Sequence, residues 1–278
     1  MNEIKNSKII FFGTPKVSAH VLGALIAAGY DIVAVVTNPD QPVGRKHVIT
    51  PPPVKVLALE KGIPVLQPKK LDSEFYSIIT SHYPIEASIA IVVAYGKIIP
   101  QSIIDSFPLG MLNIHYSLLP KYRGASPVEQ AILAGEPTTG VTIQKLVFKL
   151  DAGPIIAVRK VTIDERTTTP KLKELLTEEG VKLLLEILPK YISGEVAPIE
   201  QDESLATHCG KIDKADGEIK LGDDDAEKWR KYKAYYGWPG VFYFDEAGKR
   251  VKVTDAEWIE DQFIIKKIIP EGKNEISI

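Results

Sequence analysis

A single cysteine, Cys209, is the only thiol in the chain. No internal disulfide can form, and a four-cysteine structural zinc site is excluded. A reduced, cytoplasmic setting is the expectation. No apolar run approaches the ~20 residues that cross a bilayer, and the longest, such as Ile89 to Tyr95, have strand length. The opening MNEIKNSKIIFFGTP carries Glu3, and its apolar run from Ile9 to Phe12 is too short for a signal peptide, so none is expected. Charge of neither sign is in excess. Against 36 Asp+Glu stand 34 Lys+Arg, a net charge of -2, which excludes a strongly basic nucleic-acid coat and a long acidic tail but permits a local patch. Internal repeats and low-complexity tracts are missing too. So is the G-x-G-x-x-G fingerprint: Gly13 stands alone after the first apolar run, and close approach to a pyrophosphate needs the further glycines. An NAD-dependent enzyme is rejected on that ground.

What is present is ordinary globular material. The 278 residues are 45% hydrophobic and 25% charged, enough for one large domain or for one of about 200 residues with a smaller companion. The first half alternates short β-branched runs with helical periodicity. Strands are expected at Lys8 to Phe12, Ile32 to Thr37, Pro64 to Leu66, Ile89 to Tyr95 and Gly110 to His115. Helices are expected after Gly13, where Thr14 is an N-cap candidate and Pro15 a first-turn proline, and at Val54 to Lys61, Asp72 to His82, Ser102 to Ser106 and Pro127 to Ala134. The proline-rich stretch from Asn38 to Pro53 reads as loop. Thr139 to Lys149 and Ile155 to Ile163 read as a hairpin, followed by a long amphipathic helix from Lys171 to Ile192.

This order implies an α/β fold: a Rossmann-like, mostly parallel sheet with helices on both faces. Residues 1–193 form the expected catalytic domain and the polar stretch 194–207 a linker. Residues 208–278, with a helix and three strands, form a small β-rich domain. Ligands of such sheets bind beyond the carboxyl ends of the strands.

Asn113 and His115 lie there, two apart, so both side chains leave the strand on one face. An amide and an imidazole side by side can polarise one carbonyl, the first donating to a developing oxyanion and the second donating or relaying a proton. From spacing alone, a capped strand end with a satisfied histidine is the favoured reading. Asp151 opens an Asp-Ala-Gly-Pro turn; it is either a turn residue or the carboxylate that orients the imidazole.

Taken in order, N-x-H (113–115), S-L-L-P (117–120), Y-R-G-A-S-P (122–127) and L-D-A-G-P (150–154) resemble the 10-formyltetrahydrofolate-dependent formyltransferases. F-F-G-T-P at 11–15, V-V-A-Y-G-K-I-I-P at 92–100 and P-P-P-V-K at 51–55 extend the likeness, which is closest to the members that act on initiator methionyl-tRNA. The resemblance implies formyl transfer from 10-formyltetrahydrofolate to a primary amine. Asn113 and His115 would steady a tetrahedral oxyanion with help from Asp151, and no metal would be needed. It places the folate along Val92, Val93, Ala94, Tyr95, Gly96 and Ile98 and along Ser117, Leu118, Leu119 and Pro120. It places Arg45 and Lys46 against the acceptor stem of the tRNA, and Thr14 and Val17 near the methionyl group. A monomer is expected, with no membrane partner.

Two departures stand out. Lys16 and Val17 occupy positions where the family has an acidic and an aromatic residue, so Val17 would supply only an apolar wall. The C-terminal module is short, implying a trimmed or open OB-like barrel. Its acidic residues slightly outnumber its basic ones, and only Lys228, Arg230, Lys231 and Lys233 cluster. A small-molecule amine, such as an amino sugar on a nucleotide carrier, therefore remains an alternative acceptor, and a catalytically silent folate- or nucleic-acid-binding protein a second alternative.

Overall fold

A computed structural model describes residues 7–44, 47–85 and 88–278. Period-two alternation builds its main sheet. In β1 (Lys8–Gly13) Ile9 and Phe11 face one side while Ile10 and Phe12 face the other, and all four are buried. β6 (Ser88–Val93) repeats the pattern, with Ile89, Ile91 and Val93 against Ala90 and Val92. Such double-sided burial forces helices onto both faces. α1 (Lys16–Ala27), α2 (Pro53–Glu60), α5 (Pro127–Leu133) and α6 (Thr169–Ile192) cover the first face. α3 (Ser73–His82) and α4 (Gln101–Ile104) cover the second.

The same sheet contains β2 (Asp31–Val36), β5 (Val65–Leu66), β7 (Met111–His115), β9 (Thr138–Lys145) and β10 (Ile155–Thr162). The seven-stranded order is β10-β9-β7-β6-β1-β2-β5. The run from β5 to β7 is parallel, and β9 and β10 are antiparallel additions. The α/β expectation thus holds.

Local expectations differ in three places. The loop 38–53 contains a short exposed ribbon, β3 (Gln41–Val43) with β4 (Val48–Thr50). Gly44, at φ 72°, supplies the left-handed turn position, and both edges are open, so Pro42 breaks no ladder. Thr14 does not cap α1; Pro15 stands at that position, and the Thr14 hydroxyl donates instead to the Tyr95 carbonyl at 3.2 Å. β9 stops at Lys145 rather than Lys149: Leu112–Lys145 is its last residue pair with β7, Leu146 N still donates to the Met111 carbonyl at 2.7 Å where β7 begins, and the chain then turns towards Asp151.

The C-terminal module is an open antiparallel meander: β12 (Val241–Phe244), β13 (Arg250–Ile259), β14 (Gln262–Pro270) and β15 (Ile276–Ser277). It has one strand more than the sequence pattern showed, since β15 is too short to read. α7 (Asp225–Ala234) packs Trp229 and Tyr232 onto it, with Trp229 stacked 6.1 Å from Trp258 and 5.5 Å from Tyr232. These aromatics belong to the same buried cluster as α1, α5 and α6, so the module is welded to the first core. The Thr169 hydroxyl donates to the Ala234 carbonyl at 2.6 Å across that seam. Among the described residues no helix is long and apolar enough to cross a membrane.

Candidate active site

Asn113 and His115 occupy the carboxyl end of β7. There they pair with Gln144 and Thr142 of antiparallel β9 and, on the other side, Asn113 with Val92 of β6. Residues opposite one another in a sheet share a face, so the strand that pairs with N-x-H adds an amide of its own. Asp151 arrives from the turn after β9. Its Oδ1 lies 3.5 Å from Asn113 Nδ2 and 3.6 Å from His115 Nδ1. The three groups that the sequence singled out therefore converge on one carboxylate oxygen.

Other groups fix that carboxylate. Gln144 Nε2 donates to Oδ1 at 2.9 Å and the Gly124 backbone N–H donates to Oδ2 at 2.9 Å. His115 Nε2 donates to the Tyr122 carbonyl at 2.9 Å, since a carbonyl can only accept. His115 and Asp151 are almost fully buried, whereas Asn113 is half-buried and open to a ligand. Asp151 sits at φ 48°, a left-handed conformation that a non-glycine residue holds only when its surroundings impose it. Two glycines permit the approach. A Cβ on Gly153 would fall 1.7 Å from the Lys145 carbonyl oxygen, and one on Gly124 2.0 Å from that of Cys209.

The expected folate residues divide. Val92 and Val93 send their side chains into the two cores, leaving only backbone to a ligand. Ala94 and Gly96, at φ 44° and 82°, are exposed, and Ile98 is 77% exposed. Tyr95 is buried, edge-on to Phe12 at 5.5 Å, and its carbonyl is taken by Thr14 and Asn38. Among the described residues the Tyr95 hydroxyl and Asn38 Oδ1 are buried without a partner. The Ser117 hydroxyl donates to the Lys121 carbonyl, Leu119 N donates to Thr142, and the Pro120 carbonyl accepts from Thr207 N. In 117–120, then, these polar groups are spent on the turn, and Leu118 and Pro120 are its half-buried members. Thr14 follows β1, beside β6, and Val17 is half-buried on the first turn of α1. Arg45 and Lys46 lie outside the described residues.

Sequence reasoning missed Gln144, Gln201, Arg123 and Gly124. Gln144 had a signal: Thr142 and Gln144 are polar positions alternating with the apolar Val141 and Ile143. The other three meet only through tertiary contact.

The basic cluster of α7 is consumed internally. Lys228 and Lys233 are buried; Lys228 pairs with Asp225 at 2.7 Å, and Lys233 donates to the Glu165 carbonyl at 2.7 Å. Burial pulls the Lys233 ammonium below its usual pKa. Lys231 donates to the Glu218 carbonyl at 3.2 Å. Arg230 borders a cleft of about 360 Å³ between α5 and α7. Among the described residues no group of three or more His, Cys, Asp or Glu is placed to hold a metal ion.

An amide, an imidazole and a carboxylate gathered at the carboxyl edge of a parallel sheet are a site for acyl-type transfer to a nucleophile. The sequence profile of the formyl transferase family matches residues 7–188, and the chain belongs to that family. A relative at 45% identity over 238 residues, 85% of this chain and 76% of its own, is a methionyl-tRNA formyltransferase of Chloroflexus aggregans. Another, of Listeria innocua, bears the same name and is 41% identical over 252 residues, 90% of this chain and 79% of its own. The fold is shared with an N-formyltransferase from Helicobacter canadensis, solved with folinic acid and dTDP-3-aminofucose. That likeness has a TM-score of 0.68 at 18% identity and covers 98% of each chain.

Proposed function

We propose that the protein transfers a formyl group from 10-formyltetrahydrofolate to the free amine of methionine on initiator methionyl-tRNA. The observation that carries this reading is the convergence of Asn113 and His115 on one oxygen of Asp151. The chain's residues suit a folate co-substrate. Open backbone at Ala94 and Gly96 can meet the polar edge of a heterocycle, and the exposed side chain of Ile98 can meet its face. The folate supplies an electrophilic formyl carbon. The half-buried Asn113 amide donates to the formyl oxygen as negative charge develops, a contribution typically of about 10²–10³ in rate. His115, held through Nε2, presents Nδ1 to Asp151 beside the reacting centre. The neutral methionyl amine attacks the formyl carbon. Asp151, fixed by Gln144 and Gly124, keeps the imidazole oriented and takes the proton that the new C–N bond leaves on that nitrogen, directly or through water. Collapse of the adduct breaks the formyl carbon–N10 bond as the proton passes to N10 and tetrahydrofolate leaves. The exposed ribbon of β3 and β4, with Arg45 and Lys46 in the sequence between them, is assigned to the acceptor stem, and the setting to the cytoplasm.

One observation favours a second acceptor, an amino sugar on a nucleotide carrier: the basic side chains of α7 are largely paired within the protein and leave little free charge for phosphates. Purified protein given 10-formyltetrahydrofolate with either charged initiator tRNA or a nucleotide-linked amino sugar separates the two. Turnover of the tRNA with none of the sugar is expected; the opposite pattern reverses the assignment.

A further inference from the structure

The stretch 194–207 is laced onto the active site. Ile199 exchanges backbone hydrogen bonds with Ile155 at 2.7 and 2.8 Å. Further on, His208 and Cys209 (β11) pair in parallel with Arg123 and Gly124 (β8). Between these anchors Gln201 reaches into the turn that carries the catalytic carboxylate. Its Nε2 donates to the carbonyls of Asp151 at 2.9 Å and Gly153 at 2.7 Å. Its Oε1 accepts from Arg123 Nε at 3.0 Å and Nη2 at 2.8 Å. Both amide protons and the amide oxygen are engaged. A flipped amide would set its N–H groups against a guanidinium and its oxygen against two carbonyls, so the orientation is fixed by chemistry.

Arg123 is fully buried, and two more of its N–H groups go to Glu203 at 2.8 and 3.2 Å, a two-oxygen pairing that holds the guanidinium in plane. Its neighbours in sequence serve the other two site groups. The Tyr122 carbonyl accepts the hydrogen bond from His115 Nε2, and the Gly124 N–H donates to Asp151 Oδ2. Three consecutive residues thus tie imidazole, carboxylate and the 194–207 stretch together. Asp151 needs such support, because its backbone stands in the left-handed region.

We infer that Gln201, oriented by Arg123, is a positioning residue for formyl transfer: it sets the Asp151 turn so that the carboxylate meets Asn113 and His115. This rests on the function proposed above. It acts through Asp151 and touches no reacting atom, so its loss lowers kcat and not substrate affinity.

The test is a double-mutant cycle on the full chain, assayed with 10-formyltetrahydrofolate and charged initiator tRNA. Gln201→Leu is expected to lower kcat by about 10- to 100-fold, with the KM of each substrate within about threefold of wild type. Combined with Asp151→Asn, it is expected to be no more than about twofold slower than Asp151→Asn alone, because two groups acting as one unit do not multiply. A kcat within about twofold of wild type for Gln201→Leu, or losses that multiply in the double variant, overturns the inference. If Gln201→Leu loses its circular dichroism, the isosteric Gln201→Glu takes its place. It keeps the acceptor for Arg123 and removes the donor to the two carbonyls, and the same expectations and the same overturning results apply. Wild-type protein that leaves the tRNA unformylated contradicts the proposed function itself, whereas an active wild type with an unimpaired Gln201 variant contradicts only this inference.

Discussion

Asn113, His115 and Asp151 were legible as residues because their chemistry is rare at strand ends and in tight turns and because their motifs are local. Gln201 and Arg123 were not: they stand 78 residues apart in the chain, and each alone is an unremarkable polar residue. Alanine at His115 or Asp151 is expected to cost at least about 10²-fold in rate, read in a steady-state formylation assay; near-normal turnover removes that residue from its role. Gly124→Ala is expected to be damaging for a different reason. Its φ of 123° and a Cβ 2.0 Å from the Cys209 carbonyl force the backbone away, and the N–H that holds Asp151 Oδ2 goes with it. Chemical denaturation is expected to show a loss of at least about 2 kcal/mol, together with lowered activity. Cys209 gives a gentler probe. Burial pushes its thiol above the ordinary value, and its Sγ–H faces the Tyr122 and Arg123 carbonyls. Its labelling by a thiol reagent at neutral pH is expected to be at least about tenfold slower in folded protein than in urea; equal rates contradict the packing of β11 on β8.

The elements that position the site were read correctly where a buried run or a helical period announced them. β1 and β6 carry continuous apolar runs, β7 the apolar Met111, Leu112 and Ile114 around its two polar site residues, and α6 a clear amphipathic period. Elements defined by what they pair with were missed. The β3–β4 ribbon is exposed on all sides, so it leaves no burial pattern, and the 194–207 stretch is polar because it hydrogen-bonds to a buried arginine and a strained turn. That stretch carries a pH dependence. The Glu203 carboxyl is held down to about 2, first by hydrogen bonds from Arg123, then by Lys149. Because the folded value lies below the ordinary one, the attachment is complete above the ordinary value near 4.5 and weakens as pH falls towards about 2. Amide hydrogen exchange in 199–209, corrected for intrinsic rates, is expected to be flat from neutral pH to about 5 and to rise below that. Protection unchanged down to pH 2.5 excludes Glu203 as the tie.

At the scale of the molecule, one buried cluster runs from α1 through α6 to Trp229, Tyr232 and Phe263, so the catalytic sheet and the C-terminal meander share a core. The sequence pattern divided them because composition changes after the long helix, and no composition rule reports that two aromatic faces meet. Trp229→Ala is expected to cost about 3–5 kcal/mol and to lower one cooperative unfolding transition, with fluorescence and circular dichroism coincident; two separate transitions contradict the shared core. The 194–207 stretch lies outside that core: it is largely exposed and is tied to β10 and to the Asp151 turn by the hydrogen bonds of Ile199 and Gln201. The most direct measurement is the single-turnover rate of formyl transfer to initiator methionyl-tRNA by the wild type and by Asp151→Asn at saturating substrates. A competent wild type and a variant slower by about 10²-fold are expected. Equal rates, or a wild type that leaves the methionyl amine untouched, contradict a carboxylate, an imidazole and an amide working on one formyl carbon.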